Sequence, residues 1–325
     1  MLQIDPNGLC NSGCWFCPVS YKENPEVGRK DMPIEIFEDI LIQLTKGKAD
    51  FVSDTFDFIY TAHYNEVLLY KYFEEMLALF RKYNFKTMIL TNGTPLTKNK
   101  IDIIEKYQDV VYGICLNIPS SEPESWSRYV GMNEKIFDKV LGNISYAIEK
   151  LPNMYKQKQI SVQINGVNNS SLFKNGGMID LLDNSPEYNL DESSGDLIGH
   201  KENFERMFPG INAYIMPGLV DRAGHLDSLN VMTNINGINK KRDESNLKKV
   251  VGCLNGSDGG RTESWLHINA NGDVFICCND YDFETIFGNI NDKSIKEIWL
   301  GKERQDMIAK SYEDFCTTCS FAVWA

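Results

Sequence analysis

The chain has 325 residues with 42% hydrophobic and 24% charged side chains, a balance that supports a buried core and argues against a disordered chain. Its formal charge of −12 disfavours nucleic acid and anionic membranes as partners, because phosphate binding needs an excess of Lys and Arg. The sequence has no run of about 18 apolar residues and no signal peptide, so it predicts a soluble cytoplasmic protein.

Apolar helical patterns alternate with short β-branched or aromatic runs from about residue 33 to 225. This rhythm is typical of βα units around a parallel sheet. The six predicted strands are Leu2–Ile4, Thr55–Tyr60, Phe85–Leu90, Val110–Leu116, Gln159–Asn165 and Ala213–Met216. The predicted helices are Pro33–Lys46, Val67–Tyr83, Lys98–Tyr107 and Glu134–Lys150. In such folds the catalytic and ligand-binding residues lie at the C-terminal ends of the strands.

The second half of the chain is more polar. Residues 167–199 predict an irregular segment, and the charged stretch 226–250 predicts a linker. Beyond it, Ser264–Asn269 and Asp273–Cys277 predict a hairpin around Asn271-Gly272, followed by a helix over Ser294–Leu300. We therefore expect an α/β domain over 1–225, a linker over 226–250 and a small hairpin-plus-helix domain over 251–325.

Eight of the nine cysteines fall in two groups, near the start of the chain and in its last part. Cys10, Cys14 and Cys17 lie directly after the first predicted strand. Fe-S clusters usually take four cysteines, so a group of three implies one iron open to another ligand. An open metal position is typical of chemistry rather than of a structural site. A zinc loop, or three cysteines that merely belong to the core, is the alternative.

The spacing of Cys10, Cys14 and Cys17, with the aromatic Phe16 before the last cysteine, resembles the CxxxCxΦC motif of the radical S-adenosylmethionine (SAM) superfamily. The resemblance implies that the three cysteines hold a 4Fe-4S cluster whose fourth iron binds the amino and carboxylate groups of SAM. In that family the reduced cluster cleaves SAM to a 5′-deoxyadenosyl radical, which abstracts hydrogen from the substrate. The resemblance also implies a partial (β/α)6 TIM-like barrel, in agreement with the six predicted strands.

Further segments resemble cofactor-binding pieces of that family. Tyr64-Asn65-Glu66-Val67 resembles its Gly-Gly-Glu-Pro segment, which implies that Glu66 meets the SAM ammonium group, although Asn65 replaces a Gly and Val67 the Pro. The other contacts that the resemblance implies come from Asn92 in a Thr-Asn-Gly turn, Asn117 near the SAM ribose, Arg128 opposite the SAM carboxylate, and Arg222 after the sixth strand. The structural alternative for Glu66 is an exposed residue at the start of a helix, and the alternative for the Thr-Asn-Gly segment is an ordinary turn.

A second set of cysteines can supply four thiolates to one closed site. It consists of Cys253, Cys277, Cys316 and Cys319, which come from a predicted hairpin and its two flanks. Four protein ligands leave no open position on the metal. Spacing does not separate zinc from an iron-sulfur cluster, because tetrahedral sulfur suits both.

The sequence around this second set favours a cluster. Trp265–Asp280, followed by Phe287-Gly288-Asn289 and Ser294–Trp299, resembles the SPASM and twitch extensions of radical SAM enzymes, which implies an auxiliary 4Fe-4S cluster. No further cysteine follows Cys319, so we expect the shorter twitch form with a single auxiliary cluster. Cys277 fits the ligand position better than Cys278, and Cys115 is expected in the core.

These features predict a radical SAM oxidoreductase that dehydrogenates a polar small molecule such as a sugar or cyclitol derivative. The radical motif begins at residue 10, so we expect no leader-peptide domain before it. The auxiliary cluster would take up the electron, and a flavodoxin or ferredoxin would be the reducing partner. A maturase or epimerase of a ribosomal peptide is one alternative, and a non-catalytic Fe-S or zinc protein is another. No general base is evident: His63 lies nearest the predicted cofactor, but a structural role is its alternative.

Overall fold

The structure is a computed structural model, and it describes residues 1–14, 17, 30–48, 50–63, 65–166, 197–217, 249–254, 260–319 and 321–325. The predicted linker over 226–250 lies outside these ranges except for its last two residues. The predicted irregular segment over 167–199 also lies outside them, except that residues 197–199 begin a helix. Within the described ranges, no helix is both long and apolar enough to cross a bilayer.

Eleven strands and ten α-helices occur in the described part of the chain. The strands are β1 Leu2–Ile4, β2 Ile59–Tyr60, β3 Thr87–Thr91, β4 Val111–Asn117, β5 Ile160–Gly166, β6 Asn212–Pro217, β7 Val250–Cys253, β8 Leu266–Ile268, β9 Asp273–Phe275, β10 Ile286–Asn289 and β11 Ala322–Trp324. The helices are α1 Ile34–Gly47, α2 Phe73–Tyr83, α3 Lys98–Lys106, α4 Pro123–Val130, α5 Ile136–Lys150, α6 Pro152–Lys156, α7 Leu197–Met207, α8 Arg261–Ser264, α9 Ile295–Leu300 and α10 Lys302–Glu313.

Strands β1 to β6 are parallel and follow one another across the sheet in chain order. β1 pairs with β2, and β3-β4-β5-β6 form a four-stranded sheet. The two parts are joined by a parallel bridge between Phe58 and Lys86, next to β2 and β3. Parallel strands in chain order, with helices between them, form the partial TIM-like barrel that the sequence predicts.

The two faces of this sheet differ in polarity. The side chains of Ile89, Ile114 and Val162 belong to the hydrophobic core together with apolar residues of the helices. Strand side chains alternate between faces, so the neighbouring Cys115 and Gln163 point to the opposite face. We call this the inner face. Its polar character is unusual for a buried parallel sheet and leaves chemically useful groups inside the barrel.

The C-terminal part continues the barrel sheet. β8 pairs in parallel with β1, and β9 and β10 follow in antiparallel order. The turn between β8 and β9 has Gly272 at φ +87°, a left-handed backbone conformation that glycine adopts without strain. Ser294 caps α9 with a capping box through Glu297. The sequence predicts this hairpin and helix, but it predicts neither the pairing with β1 nor α10.

One predicted helix is wrong in its first third. We predict a continuous helix over Val67–Tyr83, whereas the structure has a 3-10 turn at Val67–Leu69 and an α-helix only from Phe73. The buried Tyr70 ends the turn, with its hydroxyl donating to the Met32 carbonyl at 2.7 Å. This tertiary hydrogen bond diverts the backbone before α2 begins, and a local apolar pattern does not reveal it.

Candidate active site

The first cysteine loop leaves the C-terminal end of β1. The Cys17 amide donates to the Cys14 carbonyl at 3.0 Å, and Cys17 lies close enough to Cys10 and Cys14 that its charge would raise the pKa of both thiols. The Ser12 hydroxyl lies 3.0 Å from Cys14 Sγ. Burial raises the pKa of Cys14 to about 12, so this thiol is protonated in the free chain at neutral pH. A metal group that binds here must therefore displace protons.

The C-terminal end of α4 supports this loop. The Gly13 amide donates to the Val130 carbonyl at 2.8 Å, and the Ser12 hydroxyl donates to the same carbonyl at 3.2 Å. Gly131 ends α4 at φ +66°, and a Cβ atom there would stand 2.8 Å from the Gly13 carbonyl oxygen. Pro123 at the start of this helix and Gly131 after its end are signals that could have predicted α4 from the sequence.

We expect Gly131→Ala to destabilise the protein by at least about 1–2 kcal/mol, because alanine disfavours the left-handed conformation and its methyl group would collide with the loop. The same variant should retain less iron after reconstitution. Chemical denaturation and iron analysis measure the two effects. Gly142→Ala is the matched control, because nothing lies within 4 Å of a Cβ atom at Gly142 in α5. We expect this control to be more stable by about 0.5–1 kcal/mol. Equal stability of the two variants would contradict the packing role of Gly131.

Glu66 lies buried beside this loop, with only 2% of its surface exposed. Its Oε2 accepts a hydrogen bond from the Asn92 amide at 2.8 Å, and Oε1 accepts one from the Leu68 amide at 3.3 Å. Its own amide donates to the Leu9 carbonyl at 2.7 Å. Glu66 does cap the 3-10 turn at Val67–Leu69, but it is buried and not exposed as in the structural alternative. Burial raises the pKa of Glu66 to about 7, and the hydrogen bonds only partly offset this effect.

The raised pKa of Glu66 predicts a pH-dependent stability of the cofactor-free chain. A carboxyl group with a higher pKa in the folded state contributes stability below about pH 4.5, and this contribution is lost as the pH rises through about 7. The loss amounts to about 3 kcal/mol. Urea unfolding of the wild type and of Glu66→Gln across this range should therefore show a difference that shifts in favour of the variant as the pH rises. Parallel curves would contradict the raised pKa.

Asn92 fastens the turn after β3 to the cysteine loop. Its Nδ2 donates to Asn11 Oδ1 at 3.0 Å, while Asn11 Nδ2 donates to Thr94 Oγ1 at 2.7 Å. On the other side of the loop, Asn65 Nδ2 donates to Asn7 Oδ1 at 2.7 Å. The resemblance to the family motifs does not identify Asn7 or Asn11. Their position as polar residues beside the cysteine motif is the sequence signal that could have found them. The structure thus brings Asn65, Glu66 and Asn92 together around the loop.

The remaining predicted cofactor contacts are placed differently. Asn117 ends β4 beside Gln163 of β5, at the same end of the sheet. Arg128 lies half-exposed on α4, where its Nη2 donates to Glu124 Oε1 at 3.0 Å. Its contact with the SAM carboxylate stays a prediction. Phe16, Tyr64 and Arg222 lie outside the described residues.

The second set of cysteines surrounds one small cavity. Cys253 of β7, Cys277 after β9, and Cys316 and Cys319 near the C-terminus all line it. β11 holds Cys253 in place through an antiparallel pairing between Ala322 and Cys253. Burial raises the pKa of Cys316 to about 12, so this thiol also releases a proton when it binds a metal. The two short strands β7 and β11 pair across more than 60 residues of chain, so the sequence does not reveal them.

The surroundings of Cys277 distinguish it from Cys278. Both thiols are buried beside Ile276 and Ile308, but Cys277 lines the cavity and Cys278 does not. The Asn279 amide donates to Cys277 Sγ at 3.4 Å, and its Nδ2 lies 3.9 Å from Cys319 Sγ. Hydrogen bonds to ligand sulfur atoms are a common means of tuning a cluster. Across the described residues, no three His, Cys, Asp or Glu side chains form a group that could hold one metal ion. The assignment of a cluster to this cavity therefore rests on the four cysteine thiols that line it.

Two family models match the chain. The model of the radical SAM superfamily matches residues 4–174, which is more than half of the chain and includes the first cysteine loop and Glu66. The model of an iron-sulfur cluster-binding domain, SPASM, matches residues 260–320. The second match includes Cys277, Cys316 and Cys319, and it begins after Cys253.

A curated relative and several solved structures are similar to the chain. The S-adenosyl-L-methionine-dependent 2-deoxy-scyllo-inosamine dehydrogenase of Niallia circulans is 28% identical over 107 residues, which cover 32% of this chain and only 39% of that enzyme. BtrN in complex with AdoMet and 2-DOIA has a TM-score of 0.54 at 16% identity, with 99% of this chain and 90% of that chain covered.

Two other solved structures have a similar fold. SuiB of Streptococcus suis bound to S-adenosylmethionine has a TM-score of 0.54 at 15% identity, with 98% of this chain and 70% of that chain covered. Native anSMEcpe with bound AdoMet has a TM-score of 0.61 at 14% identity, with 98% and 85% covered. At such identities the likeness shows the fold alone. The family match over residues 4–174 decides against the non-catalytic alternative. The chain therefore belongs to the radical SAM superfamily, with SAM, a SAM-binding 4Fe-4S cluster and an auxiliary 4Fe-4S cluster as its cofactors.

Proposed function

We propose that the chain dehydrogenates an alcohol group of a polar small molecule, such as a sugar or cyclitol derivative. The observation that carries the proposal is the convergence of Cys253, Cys277, Cys316 and Cys319 on one cavity. Four protein ligands leave no iron open to the substrate, so this site is suited to accept an electron rather than to bind the reactant. The 2-deoxy-scyllo-inosamine dehydrogenase among the relatives is consistent with this reaction class.

The first cysteine loop is the proposed SAM site. Cys10, Cys14 and Cys17 would hold the SAM-binding cluster, which supplies a 5′-deoxyadenosyl radical for hydrogen abstraction when SAM is bound. Glu66, near its ionisation midpoint at neutral pH, would accept the ammonium group of SAM, because a nearby cation favours the ionised carboxylate. Asn92 and Asn65 would keep the loop in position through their hydrogen bonds to Asn11 and Asn7.

The remaining residues of the SAM site are proposed on the family resemblance. Phe16 and Tyr64 would border SAM, Asn117 would contact its ribose, and Arg128 would pair with its carboxylate after leaving Glu124. Arg222 would complete the site after β6. A flavodoxin or ferredoxin would supply the electron that starts each cycle.

Mass spectrometry of the anaerobically reconstituted enzyme tests this function. The enzyme is incubated with SAM, dithionite and either 2-deoxy-scyllo-inosamine or other aminocyclitols and sugars. We expect 5′-deoxyadenosine and a product lighter by a pair of hydrogen atoms, in equal amounts. A product of unchanged mass that has taken up solvent deuterium would instead indicate epimerisation. Modification of peptides only, with no turnover of any polyol, would favour a peptide maturase and contradict the proposal.

A further inference from the structure

A buried carboxylate without a hydrogen-bond donor lies at the end of β1. Asp5 is 2% exposed, and neither of its carboxylate oxygens has a hydrogen-bond partner among the residues that the structure describes. His63 Nδ1 stands 3.8 Å from Asp5 Oδ2, a distance too long for a hydrogen bond. Because an unsatisfied buried charge is costly, a carboxylate in this state indicates that an incoming group supplies the missing donor.

The position of Asp5 and His63 links the two cysteine sets. The His63 amide donates to Asn65 Oδ1 at 3.0 Å, and Asn65 in turn bonds Asn7, just before the first cysteine loop. On the other side, the ring of Tyr281 lies 5.1 Å from the ring of His63. Tyr281 follows Cys277 by four residues, in the loop that leads away from the second cysteine set. A substrate bound at Asp5 would therefore lie between the two proposed clusters.

The neighbouring groups define the class of substrate. Gln3 and His267 occupy paired positions of β1 and β8, so both point to the inner face, as does Asp5. His267 is fully buried, and within the described part of the chain neither ring nitrogen has a hydrogen-bond partner. Burial, with a smaller effect from Arg261 and His63, holds the pKa of His267 well below its usual range, so this ring is neutral. A carboxylate beside neutral polar groups attracts hydroxyl and ammonium donors and repels phosphate and carboxylate groups.

We propose that Asp5 accepts the proton of the substrate hydroxyl group during dehydrogenation. This inference rests on the proposed function. The carbon that bears the hydroxyl group loses a hydrogen atom to the 5′-deoxyadenosyl radical, and the hydroxyl oxygen loses its proton to Asp5. The auxiliary 4Fe-4S cluster that the second set of cysteines would hold would take up the remaining electron as the carbon–oxygen double bond forms. The sum is a balanced oxidation of an alcohol to a carbonyl group.

The test compares hydrogen abstraction with product formation in Asp5→Asn. The reconstituted variant is given SAM, dithionite and 2-deoxy-scyllo-inosamine that carries deuterium on its hydroxyl-bearing carbons. We expect deuterated 5′-deoxyadenosine to form as in the wild type, while the oxidised product per 5′-deoxyadenosine falls by about 100-fold or more, the usual scale for loss of a catalytic base. An unchanged ratio of product to 5′-deoxyadenosine would overturn the role of Asp5.

Two further measurements keep the result unambiguous. The thermal unfolding midpoint of the cofactor-free chain should be unchanged or higher in Asp5→Asn, because the substitution removes an unsatisfied buried charge. A lower midpoint would assign Asp5 a structural role and overturn the proposal even if activity were lost. Asp109→Asn, which removes a surface carboxylate paired with Arg81, should match the wild type in product formation. A wild type that forms neither deuterated 5′-deoxyadenosine nor product contradicts the proposed function and, with it, the role of Asp5. A wild type that forms both, beside an Asp5→Asn variant with an unchanged product ratio, contradicts the role of Asp5 alone.

Discussion

Cys14→Ala is expected to reduce SAM cleavage by more than about 1,000-fold, the scale on which removal of one member of a catalytic unit acts. Cys14 Sγ is held by the Ser12 hydroxyl at 3.0 Å, inside a loop that the end of α4 supports. No other described cysteine lies in this loop besides Cys10 and Cys17, so the remaining thiols cannot replace it without moving the backbone. Anaerobic assay of 5′-deoxyadenosine with SAM and dithionite measures the effect.

Iron analysis of the same variant separates loss of the cluster from general misfolding. We expect about eight iron atoms per wild-type chain and about four in Cys14→Ala, because the auxiliary cluster should remain. Cys115→Ser is the control, since Cys115 lies on β4 with its Sγ 3.1 Å from the Tyr214 hydroxyl, a contact that serine can keep. Its iron content should match that of the wild type. A Cys14→Ala protein that retains full iron and cleaves SAM would refute this assignment of the cluster ligands.

Cys316→Ala is expected to lose the auxiliary cluster and to uncouple hydrogen abstraction from oxidation. Its iron content should fall to about four atoms per chain, while 5′-deoxyadenosine should still form, because the first cysteine loop is unchanged. The oxidised product should decrease by about 100-fold or more, because the electron that the substrate gives up has lost its acceptor. Metal analysis and product quantification in one sample give both numbers.

The pair Cys277 and Cys278 provides a matched control for this second prediction. Cys277→Ala removes a thiol that lines the cavity and should behave as Cys316→Ala does. Cys278→Ala removes a neighbouring thiol that does not line the cavity and should keep the iron of the wild type. The opposite order of iron loss would exchange the two assignments. Zinc in place of the second set of iron atoms would remove the electron acceptor on which the proposed dehydrogenation depends.

The elements that the sequence predicts well are those with local signals. All six barrel strands lie within the predicted segments or one residue beyond them, except that only the last two residues of the predicted Thr55–Tyr60 form β2. The cysteine spacing and the capping box at Ser294 are equally local. The pairing of β8 with β1 and of β7 with β11 joins segments far apart in the chain, so no local sequence pattern predicts it. The pairing of β7 with β11 nevertheless helps to place Cys253 at the cavity.

For the site residues, the sequence likewise predicts their positions but not their surroundings. The motif resemblance points to Glu66, but its 2% exposure and its raised pKa depend on the Asn92 turn folding over it. Asp5 and His63 follow strands β1 and β2, and polar residues at the C-terminal ends of barrel strands are a known signal of function. The lack of a hydrogen-bond donor for Asp5, however, is a property of its surroundings. It is visible only when the described neighbours are placed around it.

Transfer of deuterium from substrate to SAM-derived product tests the central claim most directly. The reconstituted enzyme is incubated with SAM, dithionite and 2-deoxy-scyllo-inosamine deuterated at its hydroxyl-bearing carbons. If the chain is a radical SAM dehydrogenase of such alcohols, deuterium appears in 5′-deoxyadenosine and the substrate becomes a ketone in an equal amount. Release of 5′-deoxyadenosine without deuterium, and with no ketone from this substrate or from any other polyol tested, would contradict the account.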